Sequence, residues 1–160
     1  GIDAGLTNLI TGSDLNEIIN PKALSRHEKR IRRLQRSLSR KQKGSNSREK
    51  ARIRLAREHE KVADIRNDFQ HKITYKLANE NQVVCIEDLD VKGMMQSRRL
   101  AKAISDASWS EFYRKLGYKM EDHGGILINK SIKYRGSHGN PSLWRECKTI
   151  LSSELYRCGR

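Results

Sequence analysis

The chain has 160 residues, of which 36% are hydrophobic and 32% charged, and a formal net charge of +14. That apolar content supports one modest core and not two, and the charge balance points to a polyanionic partner, nucleic acid ahead of membrane. Cys85, Cys147 and Cys158 make no disulfide framework, which fits a reducing cytoplasm; no apolar run approaches the ~20 residues of a membrane span and no signal peptide is visible.

In chain order, Gly1-Ile2-Asp3-Ala4-Gly5 opens a predicted β meander. It continues through Leu6–Thr11, turns at Gly12-Ser13-Asp14, and ends with Glu17-Ile18-Ile19-Asn20 before Pro21. The chain begins at Gly1 and not at Met, already inside a strand, and so reads as a piece of something longer.

Residues 22–61 hold 16 Lys or Arg against 4 Asp or Glu, a net +12 that leaves only +2 for everything else. The spacing predicts a helix opened by a Ser25–Glu28 capping box, with Leu24, Ile31, Leu34 and Leu38 forming a narrow apolar stripe. Gly44-Ser45-Asn46-Ser47 breaks it. A longer helix follows, with Leu55, Val62, Phe69, Ile73 and Leu77 at heptad-like positions, interrupted by His59 and Arg66. Two helices joined by a short polar loop are expected to fold back antiparallel. The seam is thin, so most of the cations face outward. Few large aromatics and charge on several faces argue against a membrane-surface role. From charge density alone, Lys29, Arg32, Arg33, Arg36, Arg40, Lys41 and Lys43 are the candidate nucleic-acid contacts. A solvated helical hairpin with no ligand is the plainer alternative.

Val83-Val84-Cys85-Ile86 is a continuous apolar run, the pattern of a strand covered on both faces in an α/β sheet. Residues 91–107 read as loop or irregular helix bearing Lys92, Arg98, Arg99 and Lys102. A second capping box, Ser108-Trp109-Ser110-Glu111, predicts a helix with Trp109, Phe112, Leu116 and Met120 on its core face, stopping near Gly124-Gly125. Ile126-Leu127-Ile128 reads as one more buried strand. Beyond Lys130 the pattern is lost.

Asp3 and Glu87 each end a stretch that reads as a buried strand. Carboxylates beside hydrophobic strands are costly unless something binds them, and a divalent metal is the usual occupant. A two-metal nuclease gathers carboxylates around ions about 3.5–4 Å apart. Mg²⁺ keeps several waters, so two or three acids suffice. Taken alone, the pair is a weak signal, since Glu87-Asp88 could equally start a loop or cap a helix. Asp88 points the other way if the strand continues, and is left out.

Several segments sharpen this. Gly1–Leu9, the basic helical pair, Ile86-Glu87-Asp88-Leu89, Val91-Lys92-Gly93-Met94 and Ile104-Ser105-Asp106-Ala107-Ser108-Trp109 occur in that order. The series resembles the RuvC-like nuclease domain of the TnpB, or OrfB-type, transposases of insertion sequences, which are RNA-guided DNA endonucleases. The resemblance covers roughly residues 1–130. It implies an α/β, RNase H-like fold with a mixed sheet and helices on its faces, into which the long basic helical hairpin (22–80) is inserted. It also implies DNA and guide RNA as partners, and Mg²⁺ held by Asp3 and Glu87, the positions matching the family's first aspartate and its glutamate. The family's third aspartate follows a four-cysteine zinc ribbon, and no residue here matches it. Residues 131–160 read as a degenerate, loosely ordered remnant of that ribbon: His138, Cys147 and Cys158 give three irregularly spaced ligands, and zinc is not expected. The resulting expectation is a fragment of a Mg²⁺-dependent endonuclease, impaired on its own. A noncatalytic nucleic-acid-binding module is the alternative, and a basic architectural protein a more distant one.

Overall fold

The computed structural model describes residues 1–13 and 17–130. The expectations for Asp14 and for the tail 131–160, with His138, Cys147 and Cys158, lie outside the described residues.

At the centre is a mixed five-stranded sheet, built from β1 (Ile2–Ala4), β2 (Asn8–Gly12), β3 (Glu17–Ile19), β4 (Val83–Glu87) and β5 (Ile126–Lys130), in the spatial order β3-β2-β1-β4-β5. The first three strands form an antiparallel meander. β4 then lies parallel to β1, and β5 parallel to β4. Parallel neighbours require a long crossover. The first is supplied by α1 (Ala23–Ser39) and α2 (Asn46–Glu80), the second by α3 (Val91–Met94), α4 (Ala101–Ala107) and α5 (Trp109–Asp122). The protein is therefore α/β, as its composition and strand pattern predict.

The continuous apolar run of β4 is explained by its place between two other strands: Val84, Cys85 and Ile86 are all buried. The turn from β1 to β2 depends on Gly5, where a Cβ would come within 2.7 Å of the Asn8 carbonyl oxygen. The core-facing stripe of α5 forms as its spacing predicts, with Trp109, Phe112, Leu116 and Met120 buried against Ile2, Leu9, Ile10, Val84 and Ile86. The indole N–H of Trp109 donates to the Leu9 carbonyl at 3.3 Å and ties the start of α5 to β2. Residues 91–107 contain two short helices where the sequence suggested loop or irregular helix.

α1 and α2 pack through a small second cluster of Ala23, Ile31 and Val62, flanked by Leu24 and Leu55. His27 meets Glu58, and the Arg48 guanidinium donates to the carbonyls of Leu38 and Lys41, so the two helices run past each other in opposite directions. Ser45 caps α2 by accepting from the Arg48 amide at 3.2 Å. Along α2 the expected apolar stripe is only partly buried: Val62 is, whereas Leu55, Phe69, Ile73 and Leu77 are half-buried. Glu58, Gln70 and Thr74 are buried instead. Glu58 is closed in by His27 and Arg30 of α1, and the far half of α2 meets α5 through polar groups. Lys115 donates to Asn67 and Gln70, and Lys119 to the His71 carbonyl and Thr74.

Both expected capping boxes are absent. Helix α1 begins at Ala23, so Ser25 lies inside its first turn, and Lys22 takes the cap position with a left-handed backbone (φ 47°). The free amides are satisfied from a distant element: Asp106 of α4 accepts from the Leu24 and Ser25 amides at 3.0 and 3.4 Å. Ser108 also has a left-handed backbone (φ 53°), because it ends α4 and starts α5 in one residue. It makes no side-chain cap, and Glu111 turns to Arg114. Among the described residues, no helix is long and apolar enough to cross a membrane.

Candidate active site and basic face

The parallel pairing of β1 with β4 sets Ile2 beside Ile86. One residue further along both strands, Asp3 and Glu87 therefore emerge on the same side of the sheet, opposite to the two buried isoleucines. Glu87 is the last residue of β4, so the pair sits toward the carboxyl ends of the parallel strands, where ligands of α/β sheets gather. Both side chains are half-buried. The two carboxyl groups come within hydrogen-bonding reach of one another. Burial, then the negative charge of Asp3 and the hydrogen bond with it, push the Glu87 carboxyl above the usual carboxylate range.

Two half-buried acids on neighbouring strands form a donor set suited to a hard cation: oxygen ligands only, with room left in the coordination shell for water. Among the described residues, these acids belong to no cluster of three or more His, Cys, Asp or Glu able to hold a metal. Asp88, beyond the strand end, is exposed.

The sequence reading passed over Tyr113. It lies on α5 beside the apolar stripe, packs against the main core, and sets its ring edge-on to Phe112 at 5.9 Å. Burial, then the charges of Glu87 and Asp3, push its phenol well above the ordinary tyrosine range. No sequence signal marks it, because a tyrosine at i+4 from Trp109 and i−3 from Leu116 reads as more of the same core face.

Of the seven candidate nucleic-acid contacts, the structure brings six together. Lys29, Arg32, Arg33, Arg36, Arg40 and Lys41 line a shallow concavity along one face of α1, joined by Ser37, while Lys43 lies outside it. The spacing explains this: positions three and four apart on a helix share a face. Some of these cations are already engaged. Arg32 pairs with Glu28 at 2.5 Å, and the Lys41 ammonium donates to Ser47 at 2.7 Å. Lys29, Arg33, Arg36 and Arg40 pair with no acid among the described residues.

Residues 1–98 match the OrfB/IS605 family model, described as "Probable transposase". The chain is 47% identical over 128 residues to a "Putative RNA-guided DNA endonuclease" of Streptomyces pristinaespiralis, covering 80% of this chain and 32% of that protein. It is 34% identical to the "Putative RNA-guided DNA endonuclease InsQ" of Escherichia coli K12, over 99% of this chain and 43% of that one. A Mycobacterium tuberculosis relative of the same description is 32% identical over 80% of this chain and 30% of its own length. The chain thus spans less than half the length of these curated relatives. With the family model covering well over half of its 160 residues, the chain belongs to the OrfB, or TnpB, transposase family.

Proposed function

We propose that this chain is the RuvC-like nuclease portion of a transposon-encoded, RNA-guided DNA endonuclease that hydrolyses phosphodiesters with Mg²⁺. The observation that carries the reading is the side-by-side placement of Asp3 and Glu87 on adjacent parallel strands, with Glu87 held above its ordinary carboxylate range. The antiparallel meander running into a parallel β1–β4–β5 group supports an RNase H-like fold over residues 1–130, with 22–80 as the inserted basic hairpin. The relatives' names supply the partners of the reading, DNA and a guide RNA, and cytoplasmic work on nucleic acid is part of the same proposal.

In this reading Asp3 and Glu87 each give oxygen ligands to the ion. When bound there, Mg²⁺ offsets the charge that builds on a phosphodiester as it is cleaved. The chain's own contribution is to keep both acids fixed on rigid strands and partly dried, so that their charge is strong and costs little to orient. The face of α1 lined by Lys29, Arg33, Arg36 and Arg40 holds the phosphate backbone by charge, releasing counterions. The tail 131–160 carries no part of this proposal, and zinc is not invoked.

The test is Mg²⁺-dependent DNA cleavage by the purified protein, with Asp3→Ala and Glu87→Ala beside the parent, and calorimetric titration with Mn²⁺ on the same samples. Activity that survives both substitutions refutes the assignment. A second reading, a noncatalytic nucleic-acid-binding module, is favoured by the finding that the described acids form a pair and not a triad. Tight, steeply salt-dependent DNA binding with no cleavage and no ion uptake would select it.

A further inference from the structure

Helix α2 carries a second row of cations, outside the concavity on α1. Lys50, Arg54, Arg57 and Lys61 recur at spacings of four, three and four, the same spacings as Lys29, Arg33, Arg36 and Arg40. Positions three and four apart share a helix face, so each set forms one row, about 16 Å long at 1.5 Å per residue. The side chains of both rows are exposed, and none of the α2 row forms an ion pair among the described residues. Other cations of α2 are already engaged: Arg48 donates to the carbonyls of Leu38 and Lys41, and Arg52 is held by Glu49.

Two contacts set the rows side by side. Arg48 reaches the Leu38 carbonyl at 2.9 Å near the turn between the helices, and Arg30 meets Glu58 at 3.0 Å toward the other end. Paired at those heights, the rows overlap along most of their length. The Arg30–Glu58 pair also fixes the side. Glu58 neighbours Arg54 and Lys61 on α2, as Arg30 neighbours Arg33 on α1, so both rows flank this pair on one side of the helical hairpin.

The α2 row stops where α1 stops. The next positions on the same stripe are Asp64 and Asp68, past the point where Val62 packs with Ala23 at the start of α1. A face that serves only to solvate a helix mixes its signs, as this one does beyond Lys61. Residues 22–61 contain no Phe, Tyr or Trp, and single-strand sites stack bases on aromatic rings. The helical pair therefore offers charge alone, in two rows. Packed helices stand about 8–10 Å apart, within the range of the grooves of B-form DNA, about 6 and 12 Å wide. A-form RNA spaces its backbones differently.

We propose that Lys50, Arg54, Arg57 and Lys61 form a second phosphate-contact row, and that the rows of α1 and α2 together take the two backbones bordering one groove of duplex DNA. This rests on the nucleic-acid part of the reading above and is independent of the ion site.

Fluorescence anisotropy of the full chain in EDTA tests it, using a labelled DNA duplex, one of its strands alone and an RNA duplex of the same sequence, each across a range of KCl. The variants are Arg54→Gln with Arg57→Gln, Arg33→Gln with Arg36→Gln, and Arg52→Gln alone. Each double variant should weaken binding of the DNA duplex and reduce the slope of log affinity against log salt by about 2. Arg52→Gln should change little, and the parent should prefer the DNA duplex to both other probes. A slope lowered by the α1 pair but not by the α2 pair overturns the second row and leaves the α1 face standing. A slope moved by neither pair, or a parent that binds no duplex, overturns the nucleic-acid reading of the helical pair and this inference with it. Binding of the single strand or the RNA duplex as tightly as the DNA duplex overturns the two-backbone arrangement on DNA. So does an effect of Arg52→Gln equal, per charge, to that of the α2 pair. A marked fall in the melting temperature of the α2 pair also overturns the proposal, because those cations would then be engaged within the fold.

Discussion

Glu58 and Glu87 are both drawn out of bulk water, yet their surroundings push them in opposite directions. Glu58 lies between α1 and α2, where one carboxylate oxygen meets the His27 ring at 2.7 Å and the other the Arg30 guanidinium at 3.0 Å. The hydrogen bond with His27, followed by the charges of Arg30, Lys61 and His27, holds it below the usual carboxylate range against the cost of burial. Glu87 has only Asp3, another acid, and is held above that range. The helical pair, with its large positive excess, meets several of its acids with cations: Glu28 with Lys102 and Arg32, Glu49 with Arg52. The sheet's acids are left wanting a cation. Unspent positive charge on α1 and unspent negative charge at β1 and β4 distinguish the surfaces that meet partners from those that hold the fold together.

The largest expected effect is on ion binding. Glu87→Gln should weaken Mn²⁺ binding at least about 100-fold, more than loss of an outer-shell partner, whereas Glu58→Gln should leave it unchanged. Titration calorimetry reads both. Equal effects would dissolve the contrast between the two glutamates.

Asp106→Ala should come next, at about 2 kcal/mol of stability. This aspartate satisfies the first free amides of α1 and also accepts from Arg66 at 3.2 Å, with its side chain 7% exposed. Its removal strips a cap and leaves the half-buried guanidinium without its partner. Urea denaturation measures the loss. Asp106→Asn should recover part of it, since the amide oxygen still accepts. A change within about 0.5 kcal/mol would show that α1 is seated by its apolar contacts alone.

Thermal melting across pH in EDTA sharpens the comparison further. Glu87, raised in the folded state, contributes stability that is full below its unfolded value of 4.5 and is lost as pH rises through its higher folded value. Glu58, lowered, contributes stability that is present above 4.5 and is lost as pH falls through its folded value. Acidifying from neutrality toward 4.5 should therefore raise the melting temperature slightly through Glu87, and further acidification should lower it through Glu58. Glu87→Gln should erase the first limb and Glu58→Gln flatten the second. At neutral pH the two substitutions should differ in sign, with Glu87→Gln melting a few degrees higher and Glu58→Gln a few degrees lower.

The unspent cations of α1 are tested by salt. Arg33→Gln should weaken duplex binding evenly across sequences and reduce the slope of log affinity against log salt by about 1. Arg32→Gln, which removes a cation already tied to Glu28, should do less.

What the sequence made legible follows from what its patterns measure. Apolar runs and helical spacing report burial of carbon, and they located β4, the stripe of α5 and the buried positions Ile31 and Val62. The strand at residues 126–128 is there, but at the sheet edge, where Ile126 is exposed and Leu127 and Ile128 are half-buried, so it is not the buried strand its apolar run predicts. Asp3 and Glu87 could be singled out because acids at the ends of buried strands break that pattern. Lys115, Gln70 and Thr74 could not, since their burial depends on hydrogen-bond partners contributed by another helix, and Tyr113 merges with the apolar stripe of α5. The capping boxes failed for a related reason. A local motif predicts a local cap, but α1 is capped across 82 positions by Asp106, and Ser108 is committed to the turn between α4 and α5.

The smallest expected effect concerns Glu111, whose carboxyl is held down to about 2, chiefly by its hydrogen bond with Arg114 and then by the charges of Arg114 and Lys115. Taken at face value that shift would rank this glutamate among the main supports of the fold. Its side chain is 38% exposed, however, and so is that of its main partner, at 64%. Solvent and salt screen such a pair, and holding two long side chains in one geometry costs entropy. Glu111→Gln should therefore change stability by about 0.5 kcal/mol or less. Being lowered, the group loses whatever it contributes as pH falls from 4.5 through about 2, so neutral and mildly acidic buffers should give the same small difference. The complication is Lys115, which is 2% exposed and lies 3.7 Å from Glu111. Asn67 and Gln70, at 2.8 and 3.0 Å, are closer and already accept from its ammonium. A loss above about 2 kcal/mol on removing Glu111 would mean that the buried lysine needs a full counter-charge, making the α2–α5 seam resemble the Glu58 site more than an ordinary surface pair.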